Sequence, residues 1–344
     1  MWEVFGHEKA LKALTTGLEQ GRLAHAYLFA GPAHVGKMTL AVNLAQAVNC
    51  REAERPCGEC NACRRIKGGK HTDVQVVSRL ADEGGRTKAD ISIDQVREFE
   101  RQANLKAYEG QCRVFIIEDA EKMTTEAANC LLKTLEEPPP QVLLLLLTSK
   151  ERQLLPTIVS RCRRIEMKPL PVSAVEQALQ ERWQAPPDKA RVLARLSAGR
   201  LGWAMTAHLD NKVLEERSHR LARFIEVASA PRSQRLAYAA ELAAQFGRGA
   251  DSVDETLELW CGWWRDLLLV KGGGQRLIAN VNLEPSVNDE AAQSELATIR
   301  RFLQSLDDAG RQLERRANPL LVLEVLMLSL PHRSKEREVE ASPA

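Results

Sequence analysis

Apolar positions recur along the chain with two different periods, and the change between them marks its organisation. From His7 to Gln20, Leu11, Leu14 and Leu18 share one helical face, and Gly21 stands where a C-terminal cap is expected. Short apolar runs follow that read as buried strands: Tyr27–Ala30, Asp73–Ser78, Arg113–Asp119 and Gln141–Ser149, with a last one at Arg164–Met167. Helix-period segments lie between them. One carries Leu40, Leu44 and Val48; one opens on the capping-box pattern Ser92-Ile-Asp-Gln95; one has Ala128, Leu131, Leu132 and Leu135 and stops at Pro138-Pro139-Pro140. Cys50–Arg65 interrupts the rhythm, and the polar stretch Leu80–Asp90 reads as a loop. Strands alternating with helices up to residue 168 predict a doubly wound parallel α/β sheet, with ligands at the C-terminal ends of the strands.

Beyond Pro169 the strand signals stop. Ser173–Trp183, Asp188–Ser197 and Leu201–His208 read as a small helical bundle. Longer periodic segments follow at Val213–Ala228, Ser233–Phe246, Val253–Val270, Glu290–Ala317 and Leu320–Leu330, and the polar Pro331–Ala344 is expected to be disordered. The pattern divides the chain into 1–168, 169–208, 209–330 and a tail.

The first strand runs into Gly31-Pro32-Ala33-His34-Val35-Gly36-Lys37-Met38-Thr39, immediately before a helix. Strand, glycine-bearing turn and helix N-terminus together form a phosphate cradle, in which backbone amides and Lys37 surround a nucleotide's phosphates. The eighth position of such a loop carries a Ser or Thr hydroxyl for Mg²⁺; here it is Met38, and Thr39 lies about 100° further around the helix. ATP with Mg²⁺ is therefore a candidate ligand, and hydrolysis is not implied. A second strand ends in Glu118-Asp119, where P-loop ATPases place a metal-holding Asp followed by a water-orienting Glu. The order is reversed, and Asp119 is about one methylene short for the base. Thr148, ending the next strand, is either a γ-phosphate sensor or a plain strand terminator.

Cys50, Cys57, Cys60 and Cys63 give C-x6-C-x2-C-x2-C. Four thiolates at that density suit a closed tetrahedral Zn²⁺ site, a structural staple for an insert (50–65) without its own core, with an iron–sulfur cluster as the rival. Composition adds exclusions. A net charge of +2 gives no global nucleic-acid signature, and with 5% aromatic residues there are few stacking platforms for single strands. No signal peptide and no apolar run approaching 18 residues is visible, and eight cysteines read as thiols of a reducing cytosol, so a cytoplasmic protein is expected.

The segments Leu131–Pro139 (LLKTLEEPP), Ser160-Arg161-Cys162, His25–Lys37 and the four-cysteine insert together resemble the bacterial clamp-loader AAA+ subunits of DNA polymerase III. The resemblance covers most of residues 1–208 and, more loosely, the C-terminal helices with Asn318-Pro319. It implies a P-loop AAA+ domain with a zinc insert, a small helical lid, and an all-α collar that joins a hetero-oligomeric ring of gamma/tau- and delta-type subunits. That ring places a sliding clamp on primed DNA. Arg161 is then an arginine finger for a neighbour's ATP; on sequence alone a solvated surface arginine stands beside that reading. Met38, the inverted Glu118-Asp119 and Gly202 where the motor's lid arginine falls favour the delta-prime type over the gamma/tau motor. The helix from Ile93, with Arg97 and Arg101, is a lesser candidate for a DNA phosphate. A P-loop kinase or a zinc-bearing DNA binder is the reading from another class.

Overall fold

A computed structural model describes residues 2–80, 90–246, 251–315 and 317–331. The predicted loop 80–90 and the polar tail fall mostly outside these residues. The chain divides into two compact units, one formed by Met1–Trp183 with Gly199–Trp203, the other by Gln184–Ala198 and the chain from Ala204 onward.

The first unit is built on five parallel strands, β1 (Ala26–Ala30), β2 (Val74–Val77), β3 (Arg113–Ile117), β4 (Val142–Thr148) and β5 (Arg163–Glu166), in the order β2-β3-β4-β1-β5. All residues of β1, β3 and β4 are buried, which is why they read as unbroken apolar runs rather than alternating ones. Each fully buried Leu of β4 contributes about 1.5–3 kcal/mol. On one face, α1 (Glu8–Glu19) and α2 (Lys37–Asn49) pack through Leu14, Leu40 and Leu44. On the other, α4 (Ile93–Ala103) and α5 (Thr125–Glu136) pack through Val96, Phe99, Leu131 and Leu135. The helix α3 (Asn61–Lys67) precedes β2, α6 (Pro156–Val159) precedes β5, and α7 (Val172–Trp183) ends this stretch.

One sequence expectation needs correction, the single helix over 290–317. Within the cysteine insert α3 forms, its start capped by the Cys60 sulfur, which accepts the Cys63 amide. In the second unit, α8 (Pro187–Leu196), α9 (Leu201–Leu209, whose first turn belongs to the first unit), α10 (Asn211–Ala228), α11 (Arg232–Phe246) and α12 (Asp251–Lys271) follow the predicted segments within a few residues. The predicted single helix over 290–317 is instead α13 (Glu284–Gln293) and α14 (Leu296–Glu314), parted where Ser294 turns extended at φ −100°, ψ 140°. The last helix, α15 (Pro319–Leu328), starts on Asn318, whose side chain accepts the amides of Leu320 and Leu321. The Asn-Pro pair is thus a helix start signal. Trp260, stacked on Phe224 at 4.3 Å, sits at the centre of this unit's core.

Candidate nucleotide site and metal cluster

Residues Gly31–Thr39 turn from β1 into α2 at the C-terminal end of the sheet. Gly31 is required by space: a Cβ there would lie 2.1 Å from the Met167 carbonyl oxygen. Gly36 is required by conformation, at φ 103° as the N-cap of α2. Val35 is buried under the loop, while Pro32, Ala33 and His34 are exposed. Lys37 Nζ donates to the carbonyls of Gly31 and Pro32 at 2.6 and 2.7 Å. Burial lowers its pKa, opposed by the carboxylates of Glu121, Asp119 and Glu118 in that order. Met38 packs against the apolar core on the α2 face of the sheet, and Thr39 is exposed.

The sheet brings the other predicted residues to the same rim. Glu118 continues β3, its amide bonded to the Val77 carbonyl at 2.9 Å; burial, then the neighbouring Asp119, raises its pKa. Asp119 adopts a left-handed conformation (φ 49°) and pairs with Arg79 at 3.3 Å. Thr148 is buried beside the loop, its carbonyl taking the Gly31 amide and its hydroxyl accepting the Lys150 amide. Sequence reasoning missed Glu121. Its Oε1 accepts the amide and hydroxyl of Ser149 at 3.1 and 2.7 Å, its Oε2 is buried without a hydrogen-bond partner, and it is the carboxylate that acts most on Lys37. The signal was an acid at three residues beyond Glu118 on the turn. Gly202, the position of the expected lid arginine, donates its amide to His34 O at 2.8 Å, and a Cβ there would meet that same oxygen at 2.8 Å. No side chain fits at that point.

Arg161 lies at the other end of the sheet. The strand β5 begins at Arg163, in register with Tyr27, and Arg161 stands before it in the turn that follows α6. At about 3.3 Å per residue, Gly31 lies roughly 13 Å along the sheet from the level of Arg163, and Arg161 precedes that level. The guanidinium is a third exposed, pairs with Glu136 at the end of α5 at 2.6 Å, and donates to Thr157 O at 3.0 Å. The pair sits at the surface and is not sequestered in the core.

The sulfurs of Cys50, Cys57, Cys60 and Cys63 lie within 4.8 Å of one another. The pairs Cys50–Cys60 and Cys57–Cys63 stand 4.0 and 3.9 Å apart. A tetrahedral site with metal–sulfur bonds near 2.3 Å has sulfur–sulfur edges of about 3.8 Å, so this cluster can hold a metal ion. The amides of Cys60 and Glu59 lower the Cys57 thiol to about 6, whereas burial raises the Cys60 and Cys63 thiols, so the ability to hold a metal rests on the sulfur geometry. The phosphate-loop helix anchors the cluster: Gln46 Nε2 donates to Cys63 O at 2.9 Å, and Gln46 Oε1 accepts from Asn43 Nδ2 at 3.0 Å.

A family model described as DNA polymerase III, delta subunit, matches residues 6–171. The DNA polymerase III subunit delta' of Bacillus subtilis (strain 168) is 28% identical over 323 residues, 94% of this chain and 95% of that one. The subunit tau of Escherichia coli (strain K12) is 35% identical over 211 residues, 59% of this chain but 32% of tau. A solved DNA polymerase III gamma subunit-related protein of Thermotoga maritima shares 19% identity over 92% of this chain and 97% of its own, with a TM-score of 0.40. That structural likeness is too weak to bear on function. The parallel sheet with β1 between β4 and β5, a phosphate loop leading into α2 and acids at the end of β3 form a P-loop α/β fold, and the chain is similar over residues 6–171 to the DNA polymerase III delta-subunit family and along nearly its whole length to a DNA polymerase III subunit delta'.

Proposed function

We propose that this chain is a delta-prime-type clamp-loader subunit that lends Arg161 to the ATP of a neighbouring motor subunit and has little ATPase of its own. The observation that carries this reading is Arg161, one third exposed and paired only at the surface with Glu136, at the end of the sheet opposite its own phosphate loop. An arginine at that end of the sheet is placed to serve a nucleotide held by another protomer rather than its own, and such a finger is worth roughly 10³–10⁵ in rate. The chain's own pocket supports the same reading: Met38 offers no hydroxyl, three carboxylates face Lys37, and Gly202 leaves no room for a lid side chain. Residues 1–168 then act as the AAA+ domain, 169–208 as the lid and 209–330 as the collar. The cysteine cluster holds structural zinc, and the partners are gamma/tau- and delta-type subunits, the sliding clamp and primed DNA, in the cytoplasm.

The intact Gly31–Lys37 loop favours a second reading, an active gamma/tau-type motor. Reconstitution with a gamma/tau-type subunit, a delta-type subunit and the clamp separates the two. On the first reading the isolated chain turns over no ATP, and Arg161→Ala removes from the assembly the turnover of the one site it completes. Mg²⁺-dependent turnover by the isolated chain, abolished by Lys37→Ala, would establish the second.

A further inference from the structure

We infer that the groove between α1 and the start of β5 is a binding site for the phosphate backbone of duplex DNA. Lys9, Lys12, Thr16 and Gln20 run along one face of α1 and meet Arg22 and Arg163 around a groove of about 490 Å³, floored by Ala13 and Gly17. Lys9, Lys12, Arg22 and Arg163 are all exposed, and among the described residues none of the four makes a salt bridge. No acid lines the groove, although Glu8 and Glu19 stand one and two turns from Lys12 on α1.

Four unpaired cations at one groove repel one another, so a polyanion is the occupant that relieves them. The rest of the lining decides which polyanion. Thr16 and Gln20 are neutral donors of the kind that accompany Lys and Arg on phosphate oxygens. From Lys9 to Gln20 the helix advances about 16 Å, which spans several successive phosphates of a strand rising about 3.4 Å per nucleotide. An acidic protein partner would bring an apolar interface core, but the apolar lining here is only Ala13 and Gly17. No aromatic ring lines the groove, so unpaired bases have nothing to stack on, and a duplex fits better than a single strand. The site lies on the α1/α2 face of the sheet, opposite α4 with Arg97 and Arg101, and it does not depend on the reading of Arg161.

The test is a fluorescence-anisotropy titration of the full chain against a labelled mixed-sequence duplex of about 20 base pairs, between about 50 and 200 mM salt. Four phosphate contacts predict a log–log salt slope of about −3.6, a loss of about a hundredfold in affinity across that range. The triple variant Lys9→Gln, Lys12→Gln, Arg22→Gln should bind at least about tenfold more weakly at the low salt and retain a slope near −0.9. The charge-conserving Lys9→Arg, Lys12→Arg, Arg22→Lys variant should bind as the native chain does. The assignment is overturned if the triple variant keeps the native affinity and slope, or if the loss follows Arg97→Gln, Arg101→Gln instead. Displacement of the duplex by polyglutamate at equal charge overturns it in favour of an acidic protein. None of these measurements involves ATP turnover, so their failure leaves the proposed function standing.

Discussion

Replacing Asp73 by alanine should destabilise the first unit by about 3–5 kcal/mol, for reasons set out by one buried carboxylate. Its Oδ1 accepts the Tyr108 amide, its Oδ2 accepts the amides of Glu109 and Gly110, each at 2.8 Å, and Arg113 lies 3.5 Å away. The side chain is fully buried, whereas the donors are on a partly exposed loop that water can reach after truncation. Each lost amide bond to a charged acceptor therefore counts at the low end, about 1–1.5 kcal/mol, and Arg113 left without its counter-charge supplies the rest. Asp73→Asn keeps an oxygen for two of the amides but turns an NH₂ toward the third donor, so a loss of about 2 kcal/mol is expected. Burial pushes the Asp73 pKa up, but the three amides and Arg113 outweigh it, and the net shift is downward. With the folded value below the unfolded one of about 3.9, its stabilisation is complete above the unfolded value and disappears as pH falls through the folded one. Urea unfolding of the native chain and both variants, at pH 7 and at a series of acid pH values, measures all of this. The reasoning fails if Asp73→Ala costs under about 1 kcal/mol, or if Asp73→Asn keeps the native acid dependence in that window.

Four further outcomes follow from other parts of the molecule. Arg235, 2% exposed, donates to the carbonyls of Ala228, Ala230 and Leu330, so Arg235→Ala should cost the second unit about 3–5 kcal/mol in urea unfolding. A cost within experimental error would mean water satisfies those carbonyls. Metal analysis of the purified chain should find about one equivalent of zinc, lost in Cys60→Ser, whereas visible absorption would identify an iron–sulfur cluster. Glu121→Gln keeps an acceptor for Ser149 but removes the charge that acts most on Lys37, and it should tighten binding of a fluorescent ATP analogue by about tenfold. An unchanged affinity would remove Glu121 from the account of the pocket. Gly31→Ala drives a methyl group into the Met167 backbone and should destabilise the first unit by about 1–3 kcal/mol or more, as seen in a lowered midpoint of thermal unfolding.

Elements whose physics is local were legible in the sequence. The strands β1, β3 and β4 announce themselves because both faces are covered, and the phosphate loop because its glycines and lysine are set by backbone geometry. The cysteines are legible because their spacing brings four sulfurs together. What stayed hidden depends on neighbours distant in the chain. Asn43, Gln46 and Asn49 stand outside the Leu40, Leu44 and Val48 positions of their helix, yet all three are buried. Each holds a remote backbone: Asn43 accepts the Glu3 amide, Gln46 meets Cys63 O, and Asn49 takes the amides of Gln111 and Cys112. Uncharged amides repeated every three residues, with no Lys or Glu among them, were the available signal. The break at Ser294 was invisible because apolar residues continue at helical spacing on both sides of it, from Val287 and Ala291 to Ile299 and Phe302.

The pocket and the arginine are mechanically one object. The Ala30 carbonyl takes the Met167 amide at 2.8 Å, Gly31 is pressed against the Met167 carbonyl, and β1 and β5 pair in register from Tyr27–Arg163 to Ala30–Glu166. Any rearrangement of the phosphate loop would therefore pull on the strand that begins two residues after Arg161. Here the loop carries Lys37 already bonded to its own carbonyls, a Met where the metal hydroxyl belongs, and Gly202 against His34. On the proposed reading, a loop that does not cycle keeps β5 still, and a still β5 presents Arg161 to the neighbour at a constant position. Blunting the pocket is then what makes the finger dependable, and the two features belong together for a physical reason.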